Sequence, residues 1–227
     1  MEIFATYFLV FMIYSSIGWL LETVLKSLWY RRFINRGFLI GPCCPIYGFG
    51  VLAITFLLEQ YKSDAVVSFF LAFIIIGVLE YITSIIMEKV FHARWWDYSK
   101  KPFNVDGRIC LQNLLYFGFI SLGVIYVFNP PIFEFIKNLG DAKIWISIVL
   151  AIIFVADIAI STTVLAGISR EGRNLNKDNT EEMANKVRQT LKERNWSYRR
   201  ILTAFPDMRH IIKKQKEKIK KLRKKSK

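Results

Sequence analysis

The chain has 227 residues, 53% of them hydrophobic and 15% aromatic, and it carries 32 Lys and Arg against 18 Asp and Glu, a net charge of +14. The apolar residues are gathered into long blocks, with the charges between and after them. That arrangement excludes an ordinary soluble bundle, which would show a polar face at helical period along each block.

Runs of about 18 or more apolar residues have the length a helix needs to cross a hydrocarbon core of about 30 Å. The first such run, residues 3–25, reads as a retained span. Met1-Glu2 gives no basic n-region, the run is too long for a signal peptide, and no small-residue cleavage site follows it. Lys26, Arg31, Arg32 and Arg36 then form a basic loop. A second span is expected over residues 38–58. Its start should be unwound or kinked, because Pro42 and Pro45 remove backbone donors among Gly37, Gly41 and Gly48. A third span covers residues 66–87, and a polar, basic, aromatic-rich connection follows it over 89–108. The fourth, residues 109–128, is expected to end at Asn129-Pro130-Pro131. A short amphipathic piece at 132–139 should lie at the interface, before a fifth span over 144–168.

Basic residues in short loops set orientation. One side holds the loop after span one and that after span three, with Lys89, Arg94, Lys100, Lys101 and Arg108. The other side holds only Lys62, Lys137 and Lys143. An all-α bundle of about five spans follows, N-terminus outside and C-terminus inside, in the cell (plasma) membrane. Cys43, Cys44 and Cys110 fall on the cytoplasmic side, where thiols stay reduced. With His92 and His210 the only histidines, no zinc-ligand spacing is present, and neither metal nor cofactor is expected.

The organisation is therefore a transmembrane domain, residues 1–170, and a basic cytoplasmic tail, 171–227. In the tail Asn179 and Glu182 resemble a capping box, and from Met208 a basic helix carries Ile212, Ile219 and Leu222 near heptad spacing. A tail tethered at the bilayer suits anionic lipid, worth about 1 kcal/mol per Lys or Arg near the surface. It has no fold signature for nucleic acid.

An ionisable side chain inside a span costs at least about 2.5–3.5 kcal/mol and so requires a partner or a function. Glu22 shares a face with Ser15, Gly18 and Trp19, and Lys26 stands four residues on as a possible partner. Glu80 lies deeper, roughly 10 Å inside the boundary. Gly77, Glu80, Ser84 and Glu88 form a polar stripe on its helix that must face protein or water. Asp157 sits near the middle of span five with Ser161, Thr162 and Thr163 within a turn or two, and packing and transport roles are both open to it. In the loop after span three, Trp95 and Trp96 suit headgroup level, but Asp97, Asn104, Asp106 and Arg108 crowd the same place. The planar fork of Arg108 fits a carboxylate or a lipid phosphate. The candidate substrate-binding residues are thus Glu22, Glu80, Asp97, Asn104, Arg108 and Asp157, with Pro42 and Pro45 as a structural kink.

At these positions the chain resembles the bacterial family of putative ABC-transporter type IV permeases. The resemblance rests on Gly18-Trp19 with Glu22, Gly41-Pro42 with Pro45-Ile46-Tyr47-Gly48, Glu80-Tyr81, Trp95-Trp96-Asp97-Tyr98-Ser99, and Asn104 with Gly107-Arg108-Ile109. It covers residues 5–130 well, the fifth span more loosely, and leaves out the tail. It implies a permease-like role and no more; separately, Glu22, Glu80, the Pro-rich entry of span two and the loop over 97–108 all belong to the cytoplasmic half, and if they converge they form one polar site open inward. The chain has no phosphate-binding loop of its own, so that role would require a separate ATPase and a homodimer or partner permease. Two other readings stand beside it. One is a membrane-embedded enzyme acting on a lipid at the inner leaflet, with Glu80 or Asp97 as base and Arg108 and Asn104 holding the headgroup. The other is a non-catalytic scaffold whose tail binds lipid or a partner.

Overall fold

The computed structural model describes residues 1–31, 33, 35, 37, 39–91 and 95–174. Helix α1 (Glu2–Tyr30) is followed by a short apolar helix, α2 (Pro45–Leu57), a 3-10 turn at Glu59–Tyr61, and α3 (Ala65–Phe91). Two short strands, β1 (Asn104–Val105) and β2 (Ile109–Cys110), precede α4 (Leu111–Gly123), a π-helical stretch (Val124–Phe128), α5 (Asn129–Asn138) and α6 (Ala142–Asn174). The architecture is helical, and four apolar segments are long enough to cross a membrane: Glu2–Trp29, Ala65–Val90, Leu111–Asn138 and Ala142–Thr163. In the last, only 11% of the apolar window is buried, leaving Ile148, Val149, Ile152 and Ile153 outward. A stripe of that size is tolerable in lipid and would aggregate in water.

Two boundaries differ from the sequence expectation. The second apolar block does not form a full-length helix: residues 39–44 are non-helical and α2 has 13 residues. Pro45 at the first helical position explains where it starts, since its missing N–H would have no helical partner there. The fourth block does not stop at Asn129-Pro130-Pro131. Its helix runs on to Asn138 through the π-helical stretch, with the prolines in the first turn of α5, the place in a helix where a missing N–H is best tolerated. The buried Asn129 binds this joint to its neighbours, accepting from the Tyr14 hydroxyl (2.7 Å) and donating to Thr55 Oγ1 (3.0 Å).

Helices α1 and α2 pack at glycine contacts. A Cβ at Gly18 would lie 2.2 Å from Cγ of Tyr47, and one at Gly48 would lie 2.3 Å from Ser15 Oγ and 2.6 Å from the Phe11 carbonyl oxygen. Such small residues let backbones approach closely where no water drives association. One end of the bundle is tied by the Glu2–Lys143 ion pair (3.1 Å) between the starts of α1 and α6. The other end holds nearly all the unusual polar groups. The tail features expected at Asn179–Glu182 and beyond Met208 lie outside the described residues.

Candidate functional site

Two buried polar arrangements are built from the residues singled out above, and they are separate. The first is the unwound stretch before α2. Non-helical backbone at membrane depth needs a partner for each N–H, because lipid supplies none. Ser15, near the middle of α1, accepts from Cys44 N through its carbonyl (2.9 Å). From α6, Asp157 Oδ1 accepts from Ile40 N (2.8 Å) and Oδ2 from Gly41 N (2.8 Å). Ser161 Oγ donates to Asp157 Oδ1 (3.0 Å), whereas Thr162 and Thr163 bond to carbonyls of their own helix. A Cβ at Gly41 would sit 2.8 Å from Asp157 Oδ2, so the close approach requires glycine. Asp157 therefore grips the backbone beside Pro42.

The second arrangement caps the polar stripe of α3. Residues 95–110 fold as a small hairpin, with Asn104 opposite Cys110 and Val105 opposite Ile109. Asp106 (φ 53°) and Gly107 (φ 67°) both take the left-handed conformation, as a type I′ turn requires, and Arg108 N donates to Val105 O (2.9 Å). Asn104 and Asp97 hold this hairpin from within. Asn104 Nδ2 donates to Lys101 O (2.7 Å) and its Oδ1 accepts from Gly107 N (3.0 Å). Asp97 Oδ1 accepts from Ser99 N (2.9 Å) and from the Ser99 hydroxyl. Trp96 Nε1 donates to Arg108 O (2.8 Å).

The hairpin then delivers side chains to α3. Tyr98 donates to Glu80 Oε1 (3.1 Å). Arg108 Nη1 donates to Ser84 Oγ (3.0 Å), its Nη2 pairs with Glu88 Oε2 (2.6 Å), and its guanidinium lies 5.9 Å from the Tyr81 ring centre. Tyr81 in turn donates to Asp106 Oδ2 (2.7 Å). The stripe Glu80, Ser84, Glu88 is thus met residue by residue, and Gly77 packs against Leu114.

Glu80 is the least satisfied member. It is only 7% exposed, and its Oε2 is buried without a hydrogen-bond partner among the described residues. Glu22 and Lys101 both stand within electrostatic reach of it. Glu22 arrives from α1 and accepts from the Tyr47 hydroxyl at the start of α2 (2.9 Å). Lys26, weighed as its partner, has Nζ 5.9 Å from the Trp29 ring centre. Lys101 donates to Asn113 Oδ1 (2.9 Å) and lies 5.4 Å from the Tyr98 ring centre. Burial above all, then the neighbouring Glu80 charge, pushes the Tyr98 phenol well above its usual range. It remains a donor at neutral pH.

The structure therefore sets Glu22 within electrostatic reach of Glu80, with Arg108 bound to Ser84 and Glu88 on the next two turns of α3 and Asp97 and Asn104 inside the hairpin. Asp157 belongs to the other arrangement. The site residues that sequence reasoning missed are Tyr47, Tyr98, Lys101 and Asn113. A usable signal existed for the first two, since a buried carboxylate needs a donor and both tyrosines lie in the distinctive motifs. Asn113 gave none. Among the described residues no three His, Cys, Asp or Glu side chains are grouped to hold a metal ion.

Comparison with known proteins gives one family. The family described as putative ABC-transporter type IV matches residues 9–162, more than half of the chain, reaching into α6 and including both arrangements. No curated protein and no solved structure matches.

Proposed function

Because the chain belongs to the putative ABC-transporter type IV family, we propose that it is a permease-like subunit in which Glu80, Glu22, Tyr47, Tyr98 and Lys101 form the polar site that meets a solute from the cytoplasmic side. The observation that carries this reading is the Glu80 carboxylate, nine-tenths buried with Oε2 unpartnered among the described residues. Ionisable groups inside spans usually mark substrate or ion pathways, and a half-satisfied buried carboxylate is available to a ligand in a way a saturated one is not.

In this reading the second span consists of the unwound stretch and α2 together, giving five crossings with the N-terminus outside. The multi-pass chain sits in the plasma membrane and its basic tail lies on the inner leaflet. Broken helices whose freed backbone is held inside protein are a common way to build a site at half-depth. The chain works with a separate ATPase, as a homodimer or beside a partner permease.

The test is solute profiling of cells that lack the chain and are complemented with wild type or Glu80→Gln. The variant should reach the same membrane level and fail to restore the solute distribution. Full restoration by Glu80→Gln rejects the site.

A further inference from the structure

Two turns beyond Glu80, near the end of α3, an open groove of about 420 Å³ is lined by Ile85, Glu88, Lys89 and Arg108. Lys89 stands in the last turn of α3, exposed, and makes no hydrogen bond or ion pair with any described residue. Arg108 is held in place from below, with Nη1 on Ser84 and Nη2 on Glu88 and a side chain 14% exposed. A guanidinium has five N–H donors, so those two contacts leave others for the groove. The two cations face one carboxylate, and Glu88 is already bound to Arg108. Among the described lining residues there is therefore a surplus of one positive charge, and the one remaining described residue, Ile85, is apolar.

The level of the groove matters as much as its charge. It lies eight residues, about 12 Å, from Glu80 toward the helix end. The next described residues are Trp95 and Trp96, the first buried and the second bonded to the Arg108 carbonyl. Trp beside a cationic rim is the composition of the headgroup level. We propose that this groove binds the phosphodiester of an anionic phospholipid, with Lys89 and Arg108 on the phosphate and Ile85 along the start of an acyl chain. A monoanionic phosphate matches the surplus charge, and the planar fork of Arg108 suits phosphate geometry. A choline or ethanolamine headgroup would bring a second cation beside Lys89. The inference rests on α3 crossing the membrane and is independent of any transport role for Glu80.

The experiment uses the full purified chain, stripped of lipid in detergent and titrated with phosphatidylglycerol or phosphatidylcholine while bound lipids are counted by native mass spectrometry. One phosphatidylglycerol should bind more tightly than the rest and more tightly than phosphatidylcholine. Lys89→Gln should weaken that lipid about five-fold, the effect of one cation near a charged surface. Lys137→Gln, on α5, should leave it unchanged. Arg108→Lys, which keeps the charge and loses the fork, should weaken it as well. Because Arg108 also holds the hairpin, Lys89→Gln is the deciding variant. The basic tail will bind further phosphatidylglycerol, and that weaker population should be the same in wild type and Lys89→Gln. Equal affinity of wild type and Lys89→Gln for the tightest lipid overturns the proposal, as does equal binding of phosphatidylcholine. Displacement of the lipid by micromolar glycerol phosphate also overturns it, in favour of a soluble phosphate ester.

Discussion

Asp157 and Glu80 are both carboxylates on apolar helices, and their surroundings are opposite. Asp157 accepts from two backbone N–H groups at 2.8 Å and from the Ser161 hydroxyl, so both its oxygens are engaged. Among the described residues Glu80 accepts from Tyr98 alone, and its buried Oε2 has no partner. The first is therefore a fastener, holding irregular backbone that lipid cannot solvate. The second has unused capacity. A carboxylate in a span indicates function only once its donors have been counted.

The contrast would break most visibly at Asp157. Asp157→Asn loses the charge and turns an NH2 toward one of the two backbone donors. Hydrogen bonds to charged groups contribute about 1.5–3 kcal/mol each, so a destabilisation of about 3 kcal/mol is expected from unfolding in mixed micelles followed by circular dichroism. Gly41→Ala attacks the same contact from the other side. Its Cβ would lie 2.8 Å from Asp157 Oδ2 and must push the carboxylate off Gly41 N, for a loss of about 2 kcal/mol, typical of overpacking. Combined with Asp157→Asn it should add little, since neighbours acting through one contact are not additive. Full additivity would mean that Asp157 is not what holds the stretch.

How much of this was legible follows from the physics of each feature. Apolar blocks and the polar stripe of α3 are properties of single segments; four of the five blocks stand as long helices and the stripe stands as the sequence implied, while the second block forms only the 13-residue α2. The unwinding before α2 was also readable, from Pro42, Pro45 and the glycines. Its partner was not, because Asp157 is more than a hundred residues away and nothing local pairs them. The continuation of the fourth block past Asn129-Pro130-Pro131 is hard to read from sequence, because prolines ordinarily end a helix, although in a first helical turn they are compatible with one. The hairpin carried an available signal in Asp106-Gly107, the dipeptide that suits a type I′ turn. That hairpin is what brings Tyr98 and Arg108 onto α3, so overlooking it hid the donors of Glu80, Ser84 and Glu88. That Glu22 stands within electrostatic reach of Glu80 depends on how α1 packs in the bundle, which no local pattern encodes.

On the Glu80 side the expected effects are smaller. Tyr98→Phe removes the one donor that Glu80 has among the described residues and should cost about 1.5 kcal/mol. It should also impair solute handling, because the carboxylate loses the group that orients it.

Glu80→Gln should have the smallest effect on stability. The amide oxygen can still accept from Tyr98, and the nitrogen takes the position of an oxygen that bonded to none of the described residues. A change of less than about 1 kcal/mol is expected, because no existing hydrogen bond is broken. The same substitution should abolish function in the solute-profiling assay at unchanged membrane level. That pairing, a large functional loss with a small stability loss, is the reverse of the pattern at Asp157→Asn, where function should fall only as far as folded protein is lost. Equal unfolding midpoints for the two variants would remove the distinction between fastener and site. Glu80 would then be one more packing contact under the hairpin, and the case for a polar site at this end of the bundle would have to rest on Glu22 and Lys101.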